Sequence, residues 1–202
     1  LGNSALKNET TTEIEIGLEA QFLKNRVGFE FNYFDRDHKD LLSDVTLANS
    51  TGYSNSYINA GSMYNRGIEA LVNLSPVKTE AFSWDMTFNF TKIKNKVTYL
   101  NDGADNVNIG QTYAFVGDPY GTFFGSGYTY NEQGQLLVDD SGLPVISQSK
   151  KIGNIQPDWL AGLNNNFSYK NFNLNFFFDM RKGGDIMNSD DRYGFFYGTS
   201  KA

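Results

Sequence analysis

The one histidine of the 202-residue chain, His38, sits among acids and bases in Asp35-Arg36-Asp37-His38-Lys39-Asp40. His38 with Asp37 or Asp40 is the one grouping that resembles a metal site. A lone imidazole beside loop acids, with Arg36 and Lys39 adjacent, is a poor ligand set for zinc. It reads as a solvated charge cluster. With no cysteine and no second histidine, a nucleophile would have one possible base, and no serine stands near it. Asp139-Asp140-Ser141-Gly142 lacks the alternating acids and the distant glutamate of a calcium loop, since Leu137 and Ser141 break the spacing. It reads as a hairpin turn. Glu13, Glu15 and Glu19 lie two and four residues apart, but glycosidase acids need a cleft and a fixed separation. They read as acids lining a wet surface. Gly183-Gly184 has no lysine-serine sequel, so it is no phosphate loop. The reading is therefore not an enzyme, with no cofactor and no metal.

These residues sit on strands. Aromatics form 15% of the chain, with 17 Phe and 12 Tyr, beside 20 Gly and only 4 Pro, a palette suited to pleated surfaces. Mean hydropathy is nonetheless −0.45. The net charge of −6 argues against nucleic acid, which requires a basic stripe. No run of about 18 apolar residues is present to form a membrane helix, and the first residues, Leu1-Gly2-Asn3-Ser4, are no secretory signal.

Six stretches alternate between apolar and polar residues, the period of a strand with two unlike faces. The apolar sets are Ile14 to Phe22, Val27 to Tyr33, Ile68 to Leu74, Trp84 to Phe90, Leu163 to Tyr169 and Phe172 to Met180. Leu71 and Asn165 stand out of pattern. The connections alternate too. Leu23–Arg26, Ser75–Glu80 and Lys170-Asn171 are short, whereas Asp37 to about Asn65, about Asn95 to Pro157, and Gly183 onward are long. Short turns at one end and long loops at the other are the habit of an outer-membrane barrel. Phe22, Tyr33, Trp84, Trp159, Tyr169 and Phe172 near the strand ends suit interfacial girdles, although aromatics are common in any strand.

The expected fold is all-β: an antiparallel up-and-down meander of about six transmembrane strands, a fragment of a large outer-membrane β-barrel. Residues 102–156 form a long extracellular loop. Within it Tyr128–Tyr130 and Gln135–Val138 flank Asn131-Glu132-Gln133-Gly134 as a small hairpin. The aromatic and glycine-rich run from Ala114 to Gly127 would fold into the lumen or line its mouth. Gly194 to Ala202 reads as loop, and both ends look cut. A plugless porin, a barrel adhesin and a soluble β-sandwich carbohydrate-binding module share the alternation and stay open as alternatives.

The connecting segments resemble one family. Leu6–Gly17, Ser50-Thr51-Gly52-Tyr53, Ile58-Asn59-Ala60-Gly61, Asn65-Arg66-Gly67-Ile68-Glu69, Phe82-Ser83-Trp84-Asp85, Gly153-Asn154 through Pro157-Asp158-Trp159, and Gly183-Gly184-Asp185-Ile186 occur in the order seen in SusC/RagA-type TonB-dependent transporters. That resemblance implies a barrel of about 22 strands holding a plug, in the outer membrane of Gram-negative, Bacteroidetes-like bacteria. The chain would be a partial barrel, 1–202, without the plug domain and closing strands. Further implications are import of glycans or peptides (oligosaccharide or peptide substrate), energy from TonB–ExbB–ExbD through the absent N-terminal region, a SusD-like surface lipoprotein as lid, and contact with outer-membrane lipid. From the loop's own chemistry, Tyr113, Asp118, Tyr120 and Phe124 are candidate ligand contacts, able to stack on and hydrogen-bond to sugars.

Overall fold

The structure is a computed structural model that describes residues 3–46, 50, 52–53 and 55–199. Thr51 of the Ser50–Tyr53 motif and the final Lys201-Ala202 lie outside the described residues. Six strands make one antiparallel sheet: β1 (Thr10–Phe22), β2 (Val27–Thr46), β3 (Asn55–Lys78), β4 (Phe82–Leu100), β9 (Trp159–Tyr169) and β10 (Phe172–Lys182). They lie in chain order, β1-β2-β3-β4-β9-β10. Between β4 and β9 the chain builds a second, four-stranded sheet from β5 (Asn106–Ile109), β6 (Thr112–Phe115), β7 (Thr122–Tyr128) and β8 (Ile146–Asn154).

Register places the alternating residues in rows. Leu18, Phe31, Ala70, Phe90, Ala161 and Met180 share one row of the apolar face, and Ala20, Phe29, Val72, Phe88, Leu163 and Phe178 share the next. Among the described residues no second sheet covers this face: Ile14, Ile16 and Leu18 are 64%, 67% and 62% exposed. A sandwich would bury them. Asn165, the polar residue in this face, is buried and accepts the Trp84 indole N–H at 3.2 Å, so the exception is satisfied internally. The row Asp35–Arg66–Lys94 ends the apolar face, with Arg66 paired to Asp35 at 2.9 Å.

The opposite face is polar and joined across strands, as by Thr87 donating to Asn73 at 2.8 Å and Asn175 to Asn164 at 3.0 Å. Leu71, Ile93, Leu160 and Phe177 interrupt it, and Phe34 is its buried exception. The ring lies over Gly67, where a Cβ would meet Phe34 Cζ at 2.6 Å and the Lys92 carbonyl at 2.8 Å. Glycine at 67 thus lets an aromatic ring cover the cross-strand backbone.

Strand bounds differ from the sequence expectation. β2 and β3 run to 20 and 24 residues, so most of the expected link from Asp37 to Asn65 is paired strand. β4 likewise reaches Leu100 rather than ending near Asn95. Alternation stops where both faces meet the same medium, but backbone pairing does not need alternation. Ser75-Pro76 is not turn but an irregularity within the β3–β4 pairing between Leu74 and Val77, a position that tolerates proline. The turn proper is residues 79–81. Residues 189–196 form helix α1 (Ser189–Phe196) where loop was expected from Gly194; Asn188 Oδ1 accepts the Asp191 N–H near its start at 3.2 Å, an N-terminal partner that the surrounding glycines and tyrosines conceal.

Candidate functional site

The small sheet is two-faced. Ala114, Val107 and Ile109 point at the upper end of β4 and pack with Val97, Leu100 and Ala104. Tyr113 and Phe115, on the other side of β6, turn away from that contact because neighbours in a strand face opposite ways. Tyr113 meets Phe124 edge-on with centroids 5.3 Å apart, and Phe115 lies 5.1 Å from Phe124. The Lys151 ammonium stands 4.5 Å from the Phe115 ring centre and 2.5 Å from Asp118 Oδ2. The Lys151–Asp118 contact is ionic rather than a directed hydrogen bond.

Three of the four sequence candidates therefore meet: Tyr113 and Phe124 directly, Asp118 through Lys151 and Phe115. Tyr120 does not join them. It lines an apolar cleft of about 180 Å³ on the wall side, with Leu41, Met63, Val97 and Ile109. Packing takes part of the aromatic surface. Phe115 is buried, and Tyr113 and Phe124 are half-buried.

Segment Gly117–Gly121 is strapped to the barrel wall. Val97 N–H donates to the Asp118 carbonyl and Gly117 N–H to the Val97 carbonyl, both at 2.9 Å. Asn154 is the hub on the other side: its Nδ2 donates to the carbonyl of Pro119 at 3.2 Å and to Thr122 Oγ1 at 3.1 Å. Asp185 Oδ2 accepts the Asn154 N–H at 2.7 Å, and Arg181 donates to the Ile155 carbonyl at 2.8 Å. Gly121, at φ +87, sits where a Cβ would strike Ile155 at 2.5 Å. The motifs around Gly153-Asn154 and Gly183-Gly184-Asp185, some thirty residues apart, are thus two halves of one knot at the head of β9 and β10.

The charged run at 35–40 is strand rather than free loop. Arg36 donates to Glu13 at 2.6 Å, and His38 bonds Thr11 at 3.0 Å and Asn65 at 3.1 Å. Among the described residues no group of three or more His, Asp or Glu could hold a metal ion. No helix among them is long and apolar enough to cross a membrane, which leaves strands untouched.

The profile of the family described as TonB dependent receptor-like, beta-barrel, matches residues 1–201. The chain belongs to this family. TonB-dependent receptor P3 of Formosa agariphila is 31% identical over 215 residues, covering 92% of this chain and 22% of its own length. TonB-dependent receptor SusC of Bacteroides thetaiotaomicron is 30% identical over 194 residues, covering 86% and 19%. The chain thus spans about a fifth of the relatives it matches. Among solved structures, the RagAB peptide importer in its closed-closed state superposes with a TM-score of 0.74 at 22% identity, over 91% of this chain and 22% of that one. That likeness establishes the fold: a section of a TonB-dependent receptor barrel.

Within that barrel section, the residues that sequence reasoning missed are the ones holding the loop. Nothing in the sequence around Lys151 marks it as functional. The Gly153-Asn154 motif did signal Asn154, but only the fold shows that its amide grips the strap.

Proposed function

We propose that the chain is a wall segment, with external loops, of an outer-membrane transporter that imports glycans or peptides under TonB control with a SusD-like lipoprotein as lid. The observation that carries this reading is the height of the apolar face. From Tyr169 at the turn end to Trp159, opposite Lys182 and one row short of the charged row, is ten residue steps of β9. At about 3.4 Å per step and a tilt of about 40°, that is roughly 26 Å, the height of a barrel's lipid-facing band. The three short turns lie at one end of the sheet and the four-stranded insertion at the other, as for periplasmic turns and external loops. A wall that pairs its backbone groups across strands can face hydrocarbon. Among the described residues β1 and β10 each pair on one side only, and a closed barrel would supply their other neighbours.

In this reading residues 102–156 are the extracellular loop. Tyr113, Asp118, Tyr120 and Phe124 contact the ligand, Tyr120 from the wall side and the other three from the outer face. The RagAB relative is a peptide importer, which favours peptide alongside glycan. The test uses the intact transporter in its host. Alanine at Tyr120, or at Tyr113 with Phe124, should weaken ligand binding at unchanged barrel abundance in the outer membrane. Uptake should also stop when the proton-motive force is collapsed. Full uptake by all the variants would remove the loop assignment, and uptake without the proton-motive force would remove TonB control.

A further inference from the structure

A line of side chains crosses four strands and ends on the strap. Thr11 of β1 bonds His38 Nδ1 at 3.0 Å, and His38 Nε2 faces Asn65 Nδ2 of β3 at 3.1 Å. Asn65 Oδ1 accepts from Asn95 Nδ2 of β4 at 2.5 Å, and Asn95 Oδ1 accepts the backbone N–H of Tyr120 at 2.7 Å. One group fixes the polarity of the whole line. The Tyr120 N–H can only donate, so Asn95 must present oxygen to it and nitrogen to Asn65. Asn65 then presents oxygen to Asn95 and nitrogen to His38, so His38 Nε2 must be a bare acceptor and the imidazole proton must sit on Nδ1, donating to Thr11. Asn95 is 8% exposed, which shields this end from competing water.

We propose that this relay is a proton-sensitive latch on the strap. Protonation of His38 puts an N–H on Nε2, where it meets the Asn65 N–H, donor against donor. The contact is restored only if the Asn65 amide flips, which forces Asn95 to flip and turns its nitrogen toward the Tyr120 N–H. Without the flips the bond lost is His38–Asn65 and the strap is untouched; in the latch both amides flip, and the bond lost is the one that ends on Tyr120. The Val97 contacts still hold Gly117 and Asp118, so loosening is confined to the Tyr120 end.

The charged groups nearest His38 on β1 are engaged, and those beside it on β2, β3 and β4 lie as follows. On β1, Glu13 is paired with Arg36 of β2, and Glu9, just before β1, accepts the Leu42 N–H at 2.6 Å. On β2, Asp37 and Lys39 alternate onto the other face, and Asp40 lies in the irregular stretch after His38, where its backbone carbonyl accepts from Asn59. On β3 and β4 the residues beside the line are Met63, Asn65 and Asn95, while Arg66, Lys94 and Lys96 point to the opposite side. The latch stands whether or not Tyr120 touches a ligand.

The test is hydrogen–deuterium exchange of the full-length transporter in lipid nanodiscs, followed in peptides covering Asp118–Gly121 and expressed as protection over the intrinsic rate. Pro119 contributes no amide, so Tyr120 weighs heavily in the signal. Between about pH 7.5 and 5.5, protection should fall several-fold, up to about tenfold, as expected for one lost hydrogen bond. His38→Gln, which keeps an acceptor and a donor but does not titrate, should abolish the pH dependence. Asn65→Asp can accept from Asn95 and from protonated His38 at once, so it should keep the strap protected at the lower pH. Equal protection at both pH values in the parent protein, the same loss in His38→Gln, or loss in Asn65→Asp would each overturn the proposal.

Discussion

Replacing Phe88 by arginine sets the lipid-facing assignment against a number. Phe88 lies near the middle of the apolar rows of β4, between Val72 and Leu163 in register, with Phe82 at the turn end and Lys92 at the charged end. Arginine on the lipid face near the midplane of a barrel costs about 2–4 kcal/mol and near the interface about 0–1 kcal/mol. At 1.4 kcal/mol per tenfold, Phe88→Arg should lower the folding equilibrium by about 30- to 700-fold, and Phe82→Arg by less than about fivefold. The control is Thr87→Arg, one residue along on the polar face. It forfeits the hydrogen bond to Asn73, about 1 kcal/mol, but leaves the guanidinium in water. The assay is denaturant titration of the full-length barrel in lipid vesicles, read by tryptophan fluorescence. Equal costs for Phe88→Arg and Thr87→Arg, or a greater cost for Phe82→Arg than for Phe88→Arg, would refute the facing and with it the membrane reading.

Gly67→Ala should destabilise the barrel by about 1–3 kcal/mol through overpacking. Phe34→Ala should relieve only part of that, because the Lys92 carbonyl also stands 2.8 Å from the new Cβ; the same titration reads both. Asp185→Ala removes the carboxylate from the Asn154 N–H, worth about 1.5–3 kcal/mol as a charge-assisted bond, and should raise proteolysis of the 117–121 strap before it alters global unfolding. Lys151→Ala should cost less than about 1 kcal/mol, since the pair with Asp118 is partly exposed. That small cost should shrink further in high salt, which thermal unfolding at two ionic strengths will show.

The sequence by itself determined the wall. Apolar and polar residues in alternation, strict from Ile14 to Phe22 and broken at Phe177 between Phe172 and Met180, can satisfy two unlike media only as strands, and short turns such as Lys170-Asn171 force antiparallel neighbours. Chain order along the sheet follows from those turns. Alternation could not mark the strand ends, because beyond Tyr33 and Ile68 both faces meet water and nothing selects residue type by side. Pairing continues there through backbone bonds that every sequence offers, which is why β2 and β3 outrun the pattern.

Tertiary structure alone decided the loop. Tyr113 and Phe124 were legible as aromatics, but which face they share, and that Tyr120 lies on the other, depends on pairings among β5 to β8 that local composition does not encode. The His38–Asn65–Asn95 line was beyond reading for the same reason. Its members are about thirty residues apart in sequence, and only the strand register sets them within hydrogen-bonding distance.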